Sequence, residues 1–351
     1  MSGRWGVLSV RQANKKHHVS YDTILGLEDA FCEECGCKRI DASASIYRKN
    51  IALKDKGHEV TAVDNMVVES AGNYDWIFFA SMGESDLLGC LPTLKEIHDK
   101  LVIYIFDSWE SKWEKQERIL KAIDPAVVCL AYIRAVEHFK TVLDSKVLFL
   151  PQSMDDRYYH PYNVEKSRLF MQIGRQTKAL HEMTTKYLSR NHITENDDTY
   201  AHPKTWSEFL KSKDKKKTIL RILKYKRQAI YAFPGTEELA KEMSGTYFFL
   251  CAPKNIDDSS KTGSISEVTA RYYEAMACKT IPLGYKPKDS FDTLFPYDDA
   301  MVEVTDETFD SKVKDLLENK DKYQKIVDKN YEYVMKHHRW KNRFDDLNNE
   351  V

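Results

Sequence analysis

"SISEVTARYYEAMACKTIPLG", residues 264–284, sets a helix-length run carrying two acids and an arginine directly ahead of an apolar strand. Ser264 followed three residues later by Glu267 is a capping-box pattern, which predicts a helix that starts at 264, after the polar loop "DDSSKTG". On such a helix Glu267, Arg271 and Glu274, four and three residues apart, share one stripe. Val268, Ala270, Ala275 and Met276 can pack on a sheet. Free amides at the helix start, reinforced by the helix dipole, suit a diphosphate. Glu274, two turns on, suits the two hydroxyls of a ribose, with Arg271 orienting it or neutralising phosphate. The same residues also read as a surface helix with an ion-pair ladder, Glu267 being its cap.

Outward from this stretch, short β-type runs alternate with helix-length segments, the pattern of parallel sheets covered by helices. In the first half "WGVLSV", "DWIFFAS", "LVIYIFDS", "AVVCLAYI" and "KVLFLP" read as strands, and "YDTILGLEDAFCEE" and "LPTLKEIHDK" as helices. The strand runs do not alternate, which suits strands buried on both faces. The second half continues with strand "RLFMQIGR", helix "KALHEMTTKYLSR", a polar stretch at 191–217, strand "QAIYAFPG", helix "TEELAKEM" and strand "TYFFLCAP". Its last 40 residues read as one or two helices. Prolines and polar residues in "LPQSMDDRYYHPYNVEK" mark a boundary that divides the chain into domains 1–160 and 161–351. The expected class is α/β with two Rossmann-like domains facing each other across a cleft, where ligands meet the carboxyl ends of the strands.

With 351 residues, 42% hydrophobic and 30% charged, the chain is of globular type, and no apolar run reaches the length of a membrane span. The N-terminus carries no apolar signal core, so the cytoplasm is expected. Seven cysteines form no disulfide framework. Three of them, Cys32, Cys35 and Cys37, fall in the helix-like "CEECGC", but no second ligand pair follows, so no metal site is expected. The net charge of −1 provides no general field for nucleic acid. Locally, "KSKDKKKTILRILKYKR" (211–227) holds nine Lys or Arg against one Asp. It reads as a solvated helix face, a membrane-surface contact or a polyanion contact.

No G-x-G-x-x-G follows a strand and no G-x-x-x-x-G-K-[ST] occurs, so neither a dinucleotide nor a P-loop triphosphate has its glycine cradle. Five stretches, in order over residues 147–347, resemble the two-domain GT-B glycosyltransferases, of the group 1 type and the spore-maturation-protein-like branch. "VLFLPQSMDDRYYHP" is similar to the interdomain strand and its sequel. "IGRQTKALHEM" is similar to the diphosphate contact, implying Gly174, Arg175 and Lys178. "FPGTEELAKEMSGTYFFLCAP" resembles the base-holding loop with the helix and strand after it, implying Phe233 and Pro234. "SEVTARYYEAMACKTIPLGY" resembles the donor helix, implying Ser264, Glu267, Arg271 and Glu274. "HHRWKNRFDDL" resembles the closing C-terminal helix. The E-x7-E spacing of retaining members is not kept: Glu267 and Glu274 are seven apart and the eight-back position is Ser266.

The resemblance implies a nucleotide diphosphate sugar as donor (UDP-, GDP- or TDP-linked), no cofactor, and a glycan, lipid-linked or other hydroxyl acceptor on the N-terminal domain. An inverting transfer needs a base for the acceptor hydroxyl. Asp107, at the end of "LVIYIFDSW", is the candidate, and its competing reading is a helix cap for "SWESKWEKQERILKAI". Phage DNA β-glucosyltransferases are similar at Asp107 and at the Arg-x-x-Glu of the donor helix. His17, Gly83 and Glu84 are candidate acceptor residues. The alternatives are a DNA base glucosyltransferase and a non-catalytic nucleotide or glycan binder.

Overall fold

A computed structural model describes residues 3–12, 22–173, 177–193, 200–201, 236–256, 259–260 and 262–351. Two compact units separate, the first from Met1–Asp155, Asp258–Val268 and Arg339–Val351, the second from Asp156–Asp257 and Thr269–His338. The chain thus leaves the first unit at 155, five residues before the boundary read from sequence, and returns to it twice.

The first unit begins β1 (Trp5–Ser9), α1 (Asp22–Cys35), β2 (Arg39–Asp41), α2 (Ala44–Asp55), α3 (Asn65–Ala71) and β3 (Trp76–Ser81). It continues α4 (Glu84–Glu96), β4 (Leu101–Ile105), α5 (Trp113–Ile123), β5 (Val127–Leu130), α6 (Ile133–Val142) and β6 (Lys146–Phe149). The strands form one parallel sheet in the order β2-β1-β3-β4-β5-β6. Every residue of β4 and β5 is buried, as their unbroken apolar runs require. The strand order changes direction between β1 and β3, which makes the carboxyl edge there the natural ligand edge. The short, polar β2 escaped the periodicity reading. The run read as helix 91–100 is instead the end of α4, which starts at Glu84 and passes through Pro92.

The second unit holds β7 (Arg168–Ile173), α7 (Lys178–Arg190), β8 (Tyr200–Ala201), α8 (Thr236–Ser244), β9 (Thr246–Cys251), α9 (Ala270–Ala277) and β10 (Ile281–Gly284). It ends with α10 (Phe291–Leu294), β11 (Val302–Glu303), α11 (Phe309–Glu318) and α12 (Lys320–His337). Its parallel sheet runs β11-β10-β9-β7-β8 and changes direction between β7 and β9. Phe170, Phe248, Leu250, Ile281 and Leu283 on the strands pack with Leu180, Tyr187, Phe309, Val313 and Val327 on the helices.

The last helix, α13 (Trp340–Glu350), belongs to the first unit. Trp340 lies 5.8 Å from the Phe106 ring, Phe344 lies 4.7 Å from Phe31, and Arg343 Nε donates to the Pro151 carbonyl at 2.9 Å. The "HHRWKNRFDDL" stretch is therefore divided. His338 stays in the second unit, 5.0 Å from the Tyr273 ring and with Nε2 2.8 Å from the Leu294 carbonyl oxygen. Three helices, not one or two, occupy the end of the chain. Among the described residues no helix is long and apolar enough to cross a membrane.

Candidate active site

In the second unit the stretch that opened the sequence reading forms a shorter helix than expected. α9 starts at Ala270 with Thr269 as its N-cap, not at 264, so Glu267 lies off the stripe and the capping box between Ser264 and Glu267 does not form. Along α9 every residue except Arg271 is buried, which removes the surface-ladder reading. Glu274 is 1% exposed, and its Oε2 is paired with Arg271 Nη1 one turn earlier. Arg271 also approaches the Tyr159 hydroxyl at 3.5 Å. Burial works against the guanidinium, but Glu274 and Tyr159 outweigh it and raise its pKa further. Burial, then the Glu274 charge, pushes the Tyr159 phenol and the Cys251 thiol up. Glu274 thus sits in a dry setting beside Arg271, on the helix between the β9 and β10 strands. Lys178 heads α7, beyond the carboxyl end of β7, with its side chain 83% exposed and 4.0 Å from Glu182. Gly174, Arg175, Phe233, Pro234 and the basic run 211–227 lie outside the described residues.

In the first unit a polar network covers the carboxyl ends of β4 and β5. Asp107 stands two residues past β4, half-buried, and the Tyr132 hydroxyl donates to its Oδ1 at 3.2 Å. It does not cap a helix: the N-cap of α5 is Lys112. Its backbone carbonyl instead accepts from Gln116 Nε2 at 3.0 Å, and Ser108 Oγ donates to Gln116 Oε1 at 2.8 Å. These bonds fix the turn that presents the carboxylate. Burial, followed by the Asp107 charge, pushes the Tyr132 phenol well up, so Tyr132 remains a donor.

The 259–268 segment packs into this network, which is why its expected helix start is absent. Glu267 Oε1 accepts from the backbone N–H of Ile133 at 2.7 Å, at the start of α6. Glu267 is therefore a cap, but of a helix far away in sequence. The Ser264 amide donates to Glu110 Oε2 at 2.8 Å, and Arg134 Nη1 bonds the Ser264 hydroxyl. That amide is already used and is not open to a phosphate. Gly263, at φ +65, allows the approach, since a Cβ there would lie 2.0 Å from Glu110 Oε2. The Ser264 amide holds the Glu110 carboxyl below its usual range.

Of the acceptor candidates, His17 lies outside the described residues. Gly83 is the N-cap of α4, and a Cβ on it would meet only Lys112 Nζ at an ordinary 3.7 Å, so no close approach demands glycine. Glu84 opens α4 with its side chain 13% exposed, Oε2 3.9 Å from Lys112 Nζ, and its buried Oε1 has no hydrogen-bond partner. One acid escaped the sequence reading. Glu28 is buried on α1 beside Ser9, the last residue of β1, whose hydroxyl donates to Oε2 at 2.7 Å. Burial lifts its pKa to about 8 and outweighs both that bond and the Arg11 cation 3.9 Å away. Tyr132, Tyr159 and Glu110 were also missed. Only Tyr132 carried a sequence signal, an aromatic directly after a core strand.

Residues 199–349 match the glycosyl transferase-like family model. By structure the chain is similar to HepE of Anabaena in complex with UDP-glucose, with a TM-score of 0.59 at 10% identity over 99% of this chain and 100% of HepE. The N-terminal domain of Candida albicans trehalose-6-phosphate phosphatase gives 0.54 at 10% identity, over 99% and 97%. These likenesses show the GT-B fold. No curated protein matches the chain by sequence. The matched stretch carries the Arg271–Glu274 pair, and Asp107 lies ahead of it.

Proposed function

We propose that the chain moves a sugar from a nucleotide diphosphate sugar to a hydroxyl of a glycan, lipid-linked or other acceptor. The donor belongs to the second unit and the acceptor to the first. The observation that carries this reading is the Arg271–Glu274 pair on a buried helix inside the family match. A buried ion pair is a poor stabilising device compared with apolar packing. A carboxylate held dry and ionised is, however, suited to two ribose hydroxyls, and the cation one turn nearer the helix start to a diphosphate. HepE holds UDP-glucose, which makes a uridine donor the first to try.

In the reaction Asp107 accepts the proton of the acceptor hydroxyl, whose oxygen attacks the anomeric carbon as the bond to the diphosphate breaks. Tyr132 keeps Asp107 oriented through the 3.2 Å bond. The departing diphosphate is stabilised by Arg271, Lys178 and the first amides of α9. This mechanism inverts the anomeric centre. A panel of UDP-, GDP- and TDP-sugars, read by nucleoside diphosphate release and by the product anomer, tests it. Release with an inverted product supports it. A retained anomer removes Asp107 as base, and nucleotide binding without release under any acceptor turns the reading to a binding protein.

A further inference from the structure

Cys32, Cys35 and Cys37 take no part in that chemistry, and the way α1 ends draws them together. Gly36 has φ +61, the left-handed conformation that glycine adopts freely. Its amide reaches the Glu33 carbonyl at 3.4 Å, and the Cys37 amide reaches the Cys32 carbonyl at 3.1 Å. These are the two bonds of a Schellman cap, in which the residue after the glycine folds back over the one five before it. The Cys37 thiol is accordingly hydrogen-bonded to Cys32 and lies 3.2 Å from the Cys35 sulfur. Cys35 Sγ donates to the Phe31 carbonyl at 2.7 Å. Bonds from Cys37 hold both Cys32 and Cys35 below the ordinary thiol range, with Arg39 helping at Cys32, and leave the proton on Cys37.

Exposure separates this group from the other cysteines. All three are half-exposed, whereas Cys90, Cys129, Cys251 and Cys278 are buried and burial pushes each of them up. Among the described residues no group of His, Cys, Asp and Glu forms a metal-holding cluster, these three thiols included.

We infer that this helix end is a thiol–disulfide exchange site for small-molecule disulfides of the glutathione class, closing a bond between Cys32 and Cys37. The Cys32 thiolate attacks one sulfur of the reagent and releases the other as a thiolate. Cys37, no longer needed as a donor, loses its proton and attacks the Cys32 sulfur, releasing the second thiol. Two protein thiols are oxidised to one disulfide, one reagent disulfide is reduced to two thiols, and the protons pass to the departing sulfurs.

The test equilibrates the full chain with mixtures of reduced and oxidised glutathione, alkylates it without unfolding, and examines the tryptic peptide ending at Lys38, which holds all three cysteines. The expected peptide is lighter by two hydrogens and alkylated once, at Cys35. Cys35→Ser should oxidise as readily as the wild type, and Cys32→Ser and Cys37→Ser should not close the bond. Serine is nearly isosteric, and thermal unfolding of each variant confirms the fold. Three alkylatable thiols at every glutathione ratio overturn the inference, as does loss of oxidation in Cys35→Ser. A stoichiometric zinc ion retained by the reduced chain and lost from the serine variants also overturns it.

Discussion

The carboxyl edges of the two sheets treat their acids in opposite ways. On the first, three acids accept from a neutral donor: Asp107 from a phenol, Glu267 from a backbone amide, and Glu28 from a hydroxyl with its nearest cation 3.9 Å away. On the second, Glu274 has a guanidinium in direct contact. A carboxylate whose donor is neutral can take up a proton without breaking an ion pair, which suits acid–base work. A carboxylate paired with a guanidinium suits holding hydroxyls. Under the proposed function, the first unit would take the proton and the second would hold the donor.

The sharpest break of that contrast is Asp107→Asn. It should lower turnover by about 10²–10⁴ while nucleotide affinity in calorimetry is unchanged; near-normal turnover would remove the first edge from proton transfer. Next comes Glu274→Gln, which should weaken nucleotide binding by roughly 10–100-fold, the worth of charge-assisted hydrogen bonds. Alanine there is a poorer probe, because it leaves the partly buried Arg271 without its carboxylate and costs about 1–3 kcal/mol of stability as well. Tyr132→Phe removes the bond to Asp107, worth about 1 kcal/mol, and the longer 3.4 Å bond from Gln152, and should lower kcat a few-fold, with a shifted pH profile and KM for the donor unaltered. An unshifted profile would make Tyr132 mere packing.

Glu28 offers a pH readout on stability. Its pKa, raised from 4.5 to about 8, means that the folded chain keeps a proton that the unfolded chain releases. Stability therefore falls as pH rises from about 4.5 to about 8, at up to ~1.4 kcal/mol per unit. Glu28→Gln should flatten that slope in thermal unfolding at a series of pH values; an unchanged slope would show the acid ionised in the fold. The smallest effect belongs to Ser264→Ala. Its amide stays with Glu110, so nucleotide affinity should move by less than about twofold, and a larger loss would restore the diphosphate to residue 264.

Particular residues show what periodicity and spacing can reach. The central strands of both sheets were legible because a strand buried on both faces must be apolar throughout, whereas the short strands β2, β8 and β11 were not; Arg271 and Glu274 were legible because i, i+3 spacing is local. Asp107 was legible as a strand-end acid. The start of α9 was not, since Ser264 and Glu267 satisfy a capping rule that uses only neighbours in sequence. Their actual partners, Glu110 and Ile133, are about 130–150 residues away.

The sequence alone determined most of the elements and the Arg271–Glu274 spacing, because each follows from contacts among residues close along the chain. The tertiary structure alone decided that α13 and the 259–268 segment return to the first unit, that Glu267 caps α6, and that Glu28 is a dry acid beside β1. Those outcomes depend on desolvation and on hydrogen bonds between distant segments, and no local pattern encodes either.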